Sequence, residues 1–317
     1  MLDDLKFVQG AVAKKDFVPS LTHFVIENGL VRGFNGVLAL CSSLPLDITC
    51  KPKAEPLIRA IGNCTDSVQL SLTPGGKLSI RSGKFKALVE CVDGDTPHCM
   101  PEGDRIEVNG EALLRGLKAM APFIGNDASR PWSNGVLLKG FSAFATNNVT
   151  LVEYWLGTEF PRVVNLPRAA VKEMLRIGEA PTHAQLAENS ITFHYPNNRW
   201  LRTQLYATDW PNLEAVLSQA SKQEPMPEGF FDGLATIKPF VDKIGSVYFL
   251  GGSICTHAND ADGTTFDVPG LQDSGLFQID MLQKLDGVAT SIDWTAYPKP
   301  CMFVGENLRG AIVGMRK

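Results

Sequence analysis

A sequence module that predicts one short strand, one short helix and several further strands occurs three times in this chain of 317 residues. Its copies occupy 48–61, 163–177 and, more faintly, 276–285, and each leads an apolar strand into a helix with basic residues. An alternating strand-like run follows each copy, at 68–72, 183–187 and 289–294. Such self-similarity predicts a fold assembled by duplication of one unit.

Two polar stretches rich in Pro and Gly, 93–104 and 218–229, have the composition of linkers. They predict three domains over 1–104, 105–218 and 219–317. Apolar residues at helical spacing open each third, over 3–15, 109–122 and 228–243, and Asn109 is a good N-cap. We therefore predict an α+β fold of three repeated domains, each with two helices on antiparallel sheets.

The charge distribution argues against a broadly basic protein, because the net charge is −4. Residues 1–105 carry 12 basic and 12 acidic residues, 106–220 carry 10 of each, and 221–317 carry 8 and 12. Any nucleic-acid surface must therefore be a local cluster of cations. No apolar run reaches membrane-spanning length and no signal peptide is evident, so we expect a soluble intracellular protein.

Neither metal binding nor catalysis is indicated by the sequence. The seven cysteines form no CysXxxXxxCys pair, which favours reduced thiols, and we expect no metal and no cofactor. There is no GlyXxxSerXxxGly elbow and no GlyLysSer or GlyLysThr phosphate loop. Asp209, Asp260 and Asp262 are not brought together by any pattern. We predict a protein that is not an enzyme.

Four segments of the middle third share their order and spacing with one known family. AsnGlyValLeuLeu at 134–138 is followed by AlaThrAsnAsnValThrLeuVal at 145–152, by a ProArgAlaAlaValLysGluMetLeu helix within 166–177, and by AspTrpProAsnLeu within 202–217. In these segments the chain resembles the bacterial DNA sliding clamps, the beta subunits of DNA polymerase III. Its shortness and divergence suggest a phage or prophage member.

The resemblance implies a head-to-tail homodimeric ring around double-stranded DNA, located in the cytoplasm at the nucleoid. Such a ring tethers DNA polymerase and is placed on DNA by a clamp loader. Its inner helices carry cations that contact DNA without sequence specificity. The corresponding residues here are Lys6, Lys14, Lys15, Lys53, Arg59, Arg115, Lys118, Arg168, Lys172, Arg176, Lys238, Lys243 and Lys284.

The resemblance also implies a groove that binds short peptides of partner proteins. Its residues would be Thr146, Asn148, Val149, Thr150, Leu151, Leu217, Ser218, Val313, Gly314, Met315 and Arg316. The family's Gly-His-Arg is AsnValThr here (148–150), and its prolines are Ser218 and Gly314. These departures favour a groove with different peptide preferences. An alternative is a clamp-like scaffold that binds proteins and does not load on DNA.

Overall fold

The structure, a computed structural model, describes residues 1–97, 99–207, 209–273 and 275–316. Contacts between residues divide the chain into two compact units. Unit 1 comprises Met1–Leu114 and Leu166–Ala207, and unit 2 comprises Arg115–Asn165 and Thr208–Lys317. Each unit therefore draws on two separate stretches of sequence.

The helices of the described residues are short. In chain order they are α1 (Leu2–Val8), α2 (Ala54–Gly62), α3 (Gly110–Met120), α4 (Arg168–Ile177), α5 (Glu214–Leu217), α6 (Phe230–Ile237) and α7 (Ile279–Gln283). Single 3₁₀ turns occupy Gln9–Ala11, Pro19–Thr22, Ala121–Phe123, Pro131–Ser133, Lys238–Phe240, Asp260–Asp262 and Trp294–Ala296.

Strands supply most of the framework. Those of unit 1 are β1 (Val25–Glu27), β2 (Leu30–Phe34), β3 (Leu38–Ser43), β4 (Gln69–Leu72), β5 (Leu78–Ser82), β6 (Phe85–Val89), β7 (Asp104–Ile106), β10 (His183–Leu186), β11 (Ser190–Tyr195) and β12 (Arg199–Gln204). Those of unit 2 are β8 (Gly135–Thr146), most of β9 (Thr150–Pro167), β13 (Glu224–Pro225), β14 (Ser246–Leu250), β15 (Ser253–Cys255), β16 (Thr265–Asp267), β17 (Gly275–Gln278), β18 (Ser291–Ile292), β19 (Cys301–Gly305) and β20 (Leu308–Ile312).

Unit 1 is built on a seven-stranded antiparallel sheet in the order β1-β2-β3-β12-β11-β10-β7, with a separate β4-β5-β6 sheet. β3 pairs with β12, so that Leu40 lies opposite Leu201. This pairing joins the first third of the sequence to the middle third. Leu5 and Val8 of α1 and Leu57 of α2 are buried with the apolar residues of these sheets, as expected for helices with one apolar face.

Unit 2 contains a six-stranded sheet in the order β13-β18-β19-β20-β9-β8 and a four-stranded sheet in the order β16-β15-β14-β17. β20 pairs antiparallel with β9, which joins the last third of the sequence to the middle third. Where β20 pairs with β9, position 310 has room only for glycine. A Cβ atom there would lie 2.7 Å from the Leu151 carbonyl oxygen and closer still to the Phe303 ring.

The ends of several helices follow local rules, and one prediction about them is confirmed. Asn109 caps α3, because its side-chain oxygen accepts a hydrogen bond from the Ala112 amide at 3.1 Å. α4 ends at Gly178, whose φ of 69° is the left-handed conformation that glycine adopts without steric cost. The strand-like run at 183–187 forms β10, from His183 to Leu186.

Two predicted helices are shorter than expected. The helix predicted over 3–15 ends at Val8 and tightens into a 3₁₀ turn through Ala11, which leaves Lys14 and Lys15 in a loop. The helix predicted over 228–243 ends at Ile237, because Pro239 cannot donate to the helical ladder. Lys238 therefore lies in a 3₁₀ turn and Lys243 beyond it.

The mixed α+β class with several antiparallel sheets and few helices is confirmed. The boundaries of the three predicted domains stay a prediction, since two sheets combine strands from different thirds. No helix in the described part of the chain is long and apolar enough to cross a membrane. The seven cysteines are free thiols.

Two histidines stack on neighbouring strands of unit 1 and give a testable pH dependence. The ring centres of His183 and His194 lie 4.4 Å apart, and the two ring planes are nearly parallel. His194 Nε2 lies 2.7 Å from Gln185 Oε1, to which a neutral imidazole can donate. Burial, together with His183 and Arg105, lowers the pKa of His194 to about 4 from 6.5.

We expect the free energy of unfolding to fall as pH drops from about 6.5 towards 4. In this range His194 is protonated in the unfolded chain but stays neutral in the folded chain. A His194→Gln variant should show a shallower fall over this window. Urea unfolding at a series of pH values measures both slopes, with exposed His257→Gln as the control. Parallel curves for wild type and His194→Gln would contradict the assignment.

Candidate peptide groove and cationic surfaces

The turn between β8 and β9 is held by its own side chains. Asn147 Oδ1 accepts hydrogen bonds from the amides of Val149 (3.1 Å) and Thr150 (2.8 Å). Thr146 Oγ1 donates to the Thr150 carbonyl oxygen at 2.8 Å and accepts from the Asn148 amide at 3.1 Å. Asn148 has a φ of 71°, which asparagine tolerates better than most residues. The turn is therefore a rigid edge from which Val149 projects, partly exposed.

The end of β20 lies beside this turn. Ile312 pairs with Thr150, and the Val313 amide donates to the Val149 carbonyl oxygen at 2.9 Å. This pairing brings residues together that are more than 160 positions apart in the sequence. Val149 and Val313 consequently form adjacent apolar walls.

A groove of about 300 Å³ opens between these walls and the segment around α5. We call it the peptide groove. Its lining residues are Arg130, Trp132, Thr146, Asn148, Val149, Thr150, Leu151, Pro211, Leu213, Val216, Pro300, Ala311 and Val313. The lining is mainly apolar with few polar groups, which suits an apolar side chain of a ligand.

An apolar cluster supports the groove from below. Its buried members are Leu137, Phe144, Leu151, Leu217, Met302 and Ala311. Trp210, Leu213 and Val216 pack against this cluster and are half-buried. The Trp210 ring meets Trp132 edge to face at 5.3 Å, a favoured aromatic geometry. The floor is therefore fixed by packing.

The groove residues expected from the sequence occupy different places. Thr146, Asn148, Val149, Thr150, Leu151 and Val313 line the groove, and Leu217 belongs to the supporting cluster. Ser218 is exposed and its hydroxyl donates to the Glu214 carbonyl oxygen at 2.9 Å. The sequence did not predict the lining residues Trp132, Pro211, Leu213, Val216 and Pro300. Only the resemblance around AspTrpProAsnLeu could have pointed to two of them.

The segment after Val313 runs away from the groove lining. The Met315 amide donates to the Leu276 carbonyl oxygen at 2.7 Å, and the Tyr297 hydroxyl donates to the Met315 carbonyl oxygen at 2.9 Å. Gly314 packs on the Tyr297 ring so closely that a Cβ atom would lie 2.5 Å from it. This contact explains glycine at 314, and Met315 and Arg316 follow it outside the lining.

The cations expected in unit 1 are mostly exposed. Arg168 is half-buried. The other expected cations of unit 1 are exposed, namely Lys6, Lys14, Lys15, Lys53, Arg59, Lys172 and Arg176. Arg59 forms an ion pair with Glu55 at 2.8 Å. Lys14, Lys53 and Arg176 converge on one hollow of about 490 Å³, although they come from three different segments. The structure thus concentrates positive charge that the sequence leaves dispersed.

Arg176 has a second role in the structure. Its guanidinium donates to the carbonyl oxygens of Phe7 (2.7 Å) and Lys6 (3.1 Å) at the end of α1. It also pairs with the buried Glu173 at 2.5 Å. Gly10 leaves room for that carboxylate, which a Cβ atom at this position would overlap. Arg176 therefore ties α4 to α1.

The cations expected in unit 2 are fewer. Arg115 and Lys118 are exposed on α3, which packs on the Tyr154 ring through Gly116. Lys238 pairs with Asp280 at 2.9 Å, and Lys284 Nζ lies 3.7 Å from Met281 Sδ. Lys243 is exposed. Cations from the last third of the sequence are thus less available than those of unit 1.

Comparison with known proteins identifies the fold. No protein-family model and no curated protein sequence matches the chain. Among solved structures it is similar to the beta subunit of DNA polymerase from Streptococcus pyogenes (16% identity, TM-score 0.84, covering 100% of this chain and 97% of that one). The sliding clamps of Caulobacter crescentus (18%, 0.83) and Bartonella birtlesii, bound to griselimycin (16%, 0.85), match with the same coverage. The chain therefore has the bacterial sliding-clamp fold, which confirms the resemblance at the level of fold.

Proposed function

We propose that this protein is a sliding clamp, which encircles double-stranded DNA as a head-to-tail homodimer and tethers a replicative DNA polymerase. The observation that carries the proposal is the match, over 100% of this chain, to DNA polymerase III beta subunits. The role is non-catalytic, because a topological tether makes and breaks no bond. It places the protein in the cytoplasm, on the nucleoid.

The proposed DNA contact is electrostatic. Exposed cations such as Lys14, Lys53 and Lys172 would bind phosphates and release counterions, which needs no base recognition. Weak contacts of this kind suit a ring that must slide. Because the net charge is −4, the contact depends on these local clusters.

The proposed tether is the peptide groove, which would receive an apolar segment of the polymerase or of the clamp loader. Support comes from its apolar lining and from its hydrogen-bonded turn at 147–149. The clamps of Pseudomonas aeruginosa and Bartonella birtlesii were solved bound to griselimycin. That compound is therefore a practical probe for this chain.

We expect griselimycin to bind the wild-type chain, and a Val313→Glu variant to bind it at least about tenfold more weakly, since a carboxylate is costly in an apolar groove. Val37→Glu is the matched control, because Val37 and Val313 are 46% and 43% exposed. Calorimetry measures both affinities. Equal loss in the two variants, or unchanged affinity in Val313→Glu, would count against the groove as the binding site.

A scaffold that binds proteins without loading on DNA is the second candidate. The acidic excess of residues 221–317, with 8 basic and 12 acidic residues, favours it. The ion pair of Lys238 with Asp280 also favours the scaffold. A monomer by light scattering, together with intact griselimycin binding, would favour the scaffold over the clamp.

A further inference from the structure

A compact loop follows the 3₁₀ turn at the end of α1. The Ala13 amide donates to the Leu21 carbonyl oxygen at 2.8 Å, which closes the loop at its base. Inside it, the Val18 amide donates to Asp16 Oδ1 at 2.8 Å, and the Leu21 amide donates to the Val18 carbonyl oxygen at 3.1 Å. The loop therefore has a defined shape, with Phe17 at its tip.

The Phe17 ring is not buried when the chain folds. Its exposure is 105% of the reference value, the largest of any exposed large hydrophobic residue in the described chain, and Val18 beside it is 51% exposed. Removing an apolar ring from water is favourable, so contact between this exposed ring and a ligand would stabilise the complex. A ligand that covers it must present a flat apolar face.

Positive charge surrounds the loop. Lys14 and Lys15 precede Phe17 and are exposed, and within the described residues neither forms an ion pair. Lys14 also lines the hollow of about 490 Å³ together with Lys53, whereas Arg176 on the same hollow is paired with Glu173. The nearby acids are engaged: Glu55 pairs with Arg59, Glu173 pairs with Arg176, and Asp16 accepts the Val18 amide.

We propose that this loop binds unpaired nucleic acid, with Phe17 stacked on an exposed base and Lys14 and Lys15 bound to the flanking phosphates. An aromatic ring beside a cationic groove is the combination that binds single strands without sequence preference, because every base has a π face. Duplex DNA offers no free base face along its length. The loop would therefore recognise a place where a single strand begins.

A phosphate backbone fits this surface better than a lipid bilayer does. The hollow beside the loop is concave, and its cations stand on its walls with the polar Gln9 and Thr22. A chain of phosphates can enter such a hollow, whereas a bilayer surface cannot. Phe17 and Val18 alone also offer little apolar area for insertion. Binding to lipid is therefore an outcome that the test must be able to detect.

Fluorescence anisotropy of the full chain with a labelled oligothymidylate, and with an abasic strand of equal length, tests the proposal. The two strands carry the same phosphates and differ only in their bases. We expect about tenfold tighter binding of the oligothymidylate. Phe17→Ala should remove the preference and Phe17→Trp should keep it. Phe141→Ala, which removes another exposed aromatic ring, should leave it unchanged.

Equal affinity of the wild type for the two strands, or a preference that survives in Phe17→Ala, would overturn the proposal. So would Phe17-dependent binding to anionic phospholipid vesicles that is tighter than binding to the oligothymidylate. The inference adds to the proposed clamp function but is tested separately. Retention of the wild-type chain on capped duplex reports on the clamp, and base preference reports on the loop, so either can fail alone.

Discussion

Replacing Arg176 by alanine is expected to lower the free energy of unfolding by about 3 kcal/mol, because it leaves a buried carboxylate without its partner. Glu173 is 7% exposed and pairs with this guanidinium at 2.5 Å. The same side chain donates to the carbonyl oxygens of Lys6 and Phe7, so the variant also frees the end of α1. Urea unfolding followed by circular dichroism measures the loss.

Lys172→Ala is the matched control, since Lys172 lies on the exposed side of the same helix, α4. It should change the free energy of unfolding by less than about 0.5 kcal/mol. Adding Glu173→Gln to Arg176→Ala should restore part of the loss, because a neutral amide is cheaper to bury. Equal effects of Arg176→Ala and Lys172→Ala would show that Arg176 is an ordinary surface cation.

Reversing three charges, with Lys14, Lys53 and Lys172 each changed to Glu, should weaken binding to immobilised duplex DNA by more than about tenfold. Each lysine that neutralises one phosphate contributes roughly 0.9 to the slope of log affinity against log salt, so the slope should fall by roughly 3. All three residues are exposed in unit 1. Affinity measured over a salt series gives both quantities.

A control variant with the same change in net charge shows whether the location of the lysines or the net charge alone determines DNA binding. Lys84, Lys139 and Lys222 are also exposed but lie outside the predicted DNA-facing helices. Their triple change to Glu should leave the salt slope close to that of the wild type. If both triple variants lose the same affinity, the contact is a general effect of net charge and the proposed surface is wrong.

Local sequence patterns predicted much of the secondary structure. Asn109 acts through a neighbour three positions away, and the alternating run at 183–187 forms β10. The pairing of β3 with β12 depends on residues about 160 positions apart, which periodicity cannot predict. The ends of α1 and α6 were overestimated because apolar spacing continues past the residues where the backbone turns.

The candidate sites were less predictable, for the same reason. The resemblance pointed to the turn at 147–149 and to Val313, but Trp132 and Pro300 enter the groove only through tertiary packing. The resemblance placed Arg168, Lys172 and Arg176 among the cations expected to contact DNA. It could not show that Arg176 reaches Phe7, which is 169 positions away. That the three residues contact DNA stays a prediction.

Retention on a linear duplex with a closed end tests the clamp proposal most directly. One end of the duplex is attached to a bead, the chain is allowed to thread over the open end, and that end is then capped with a bulky protein. A closed ring should survive a wash at a salt concentration that abolishes electrostatic binding, and cutting the duplex should release it. Equal loss from capped and open duplexes would contradict the account.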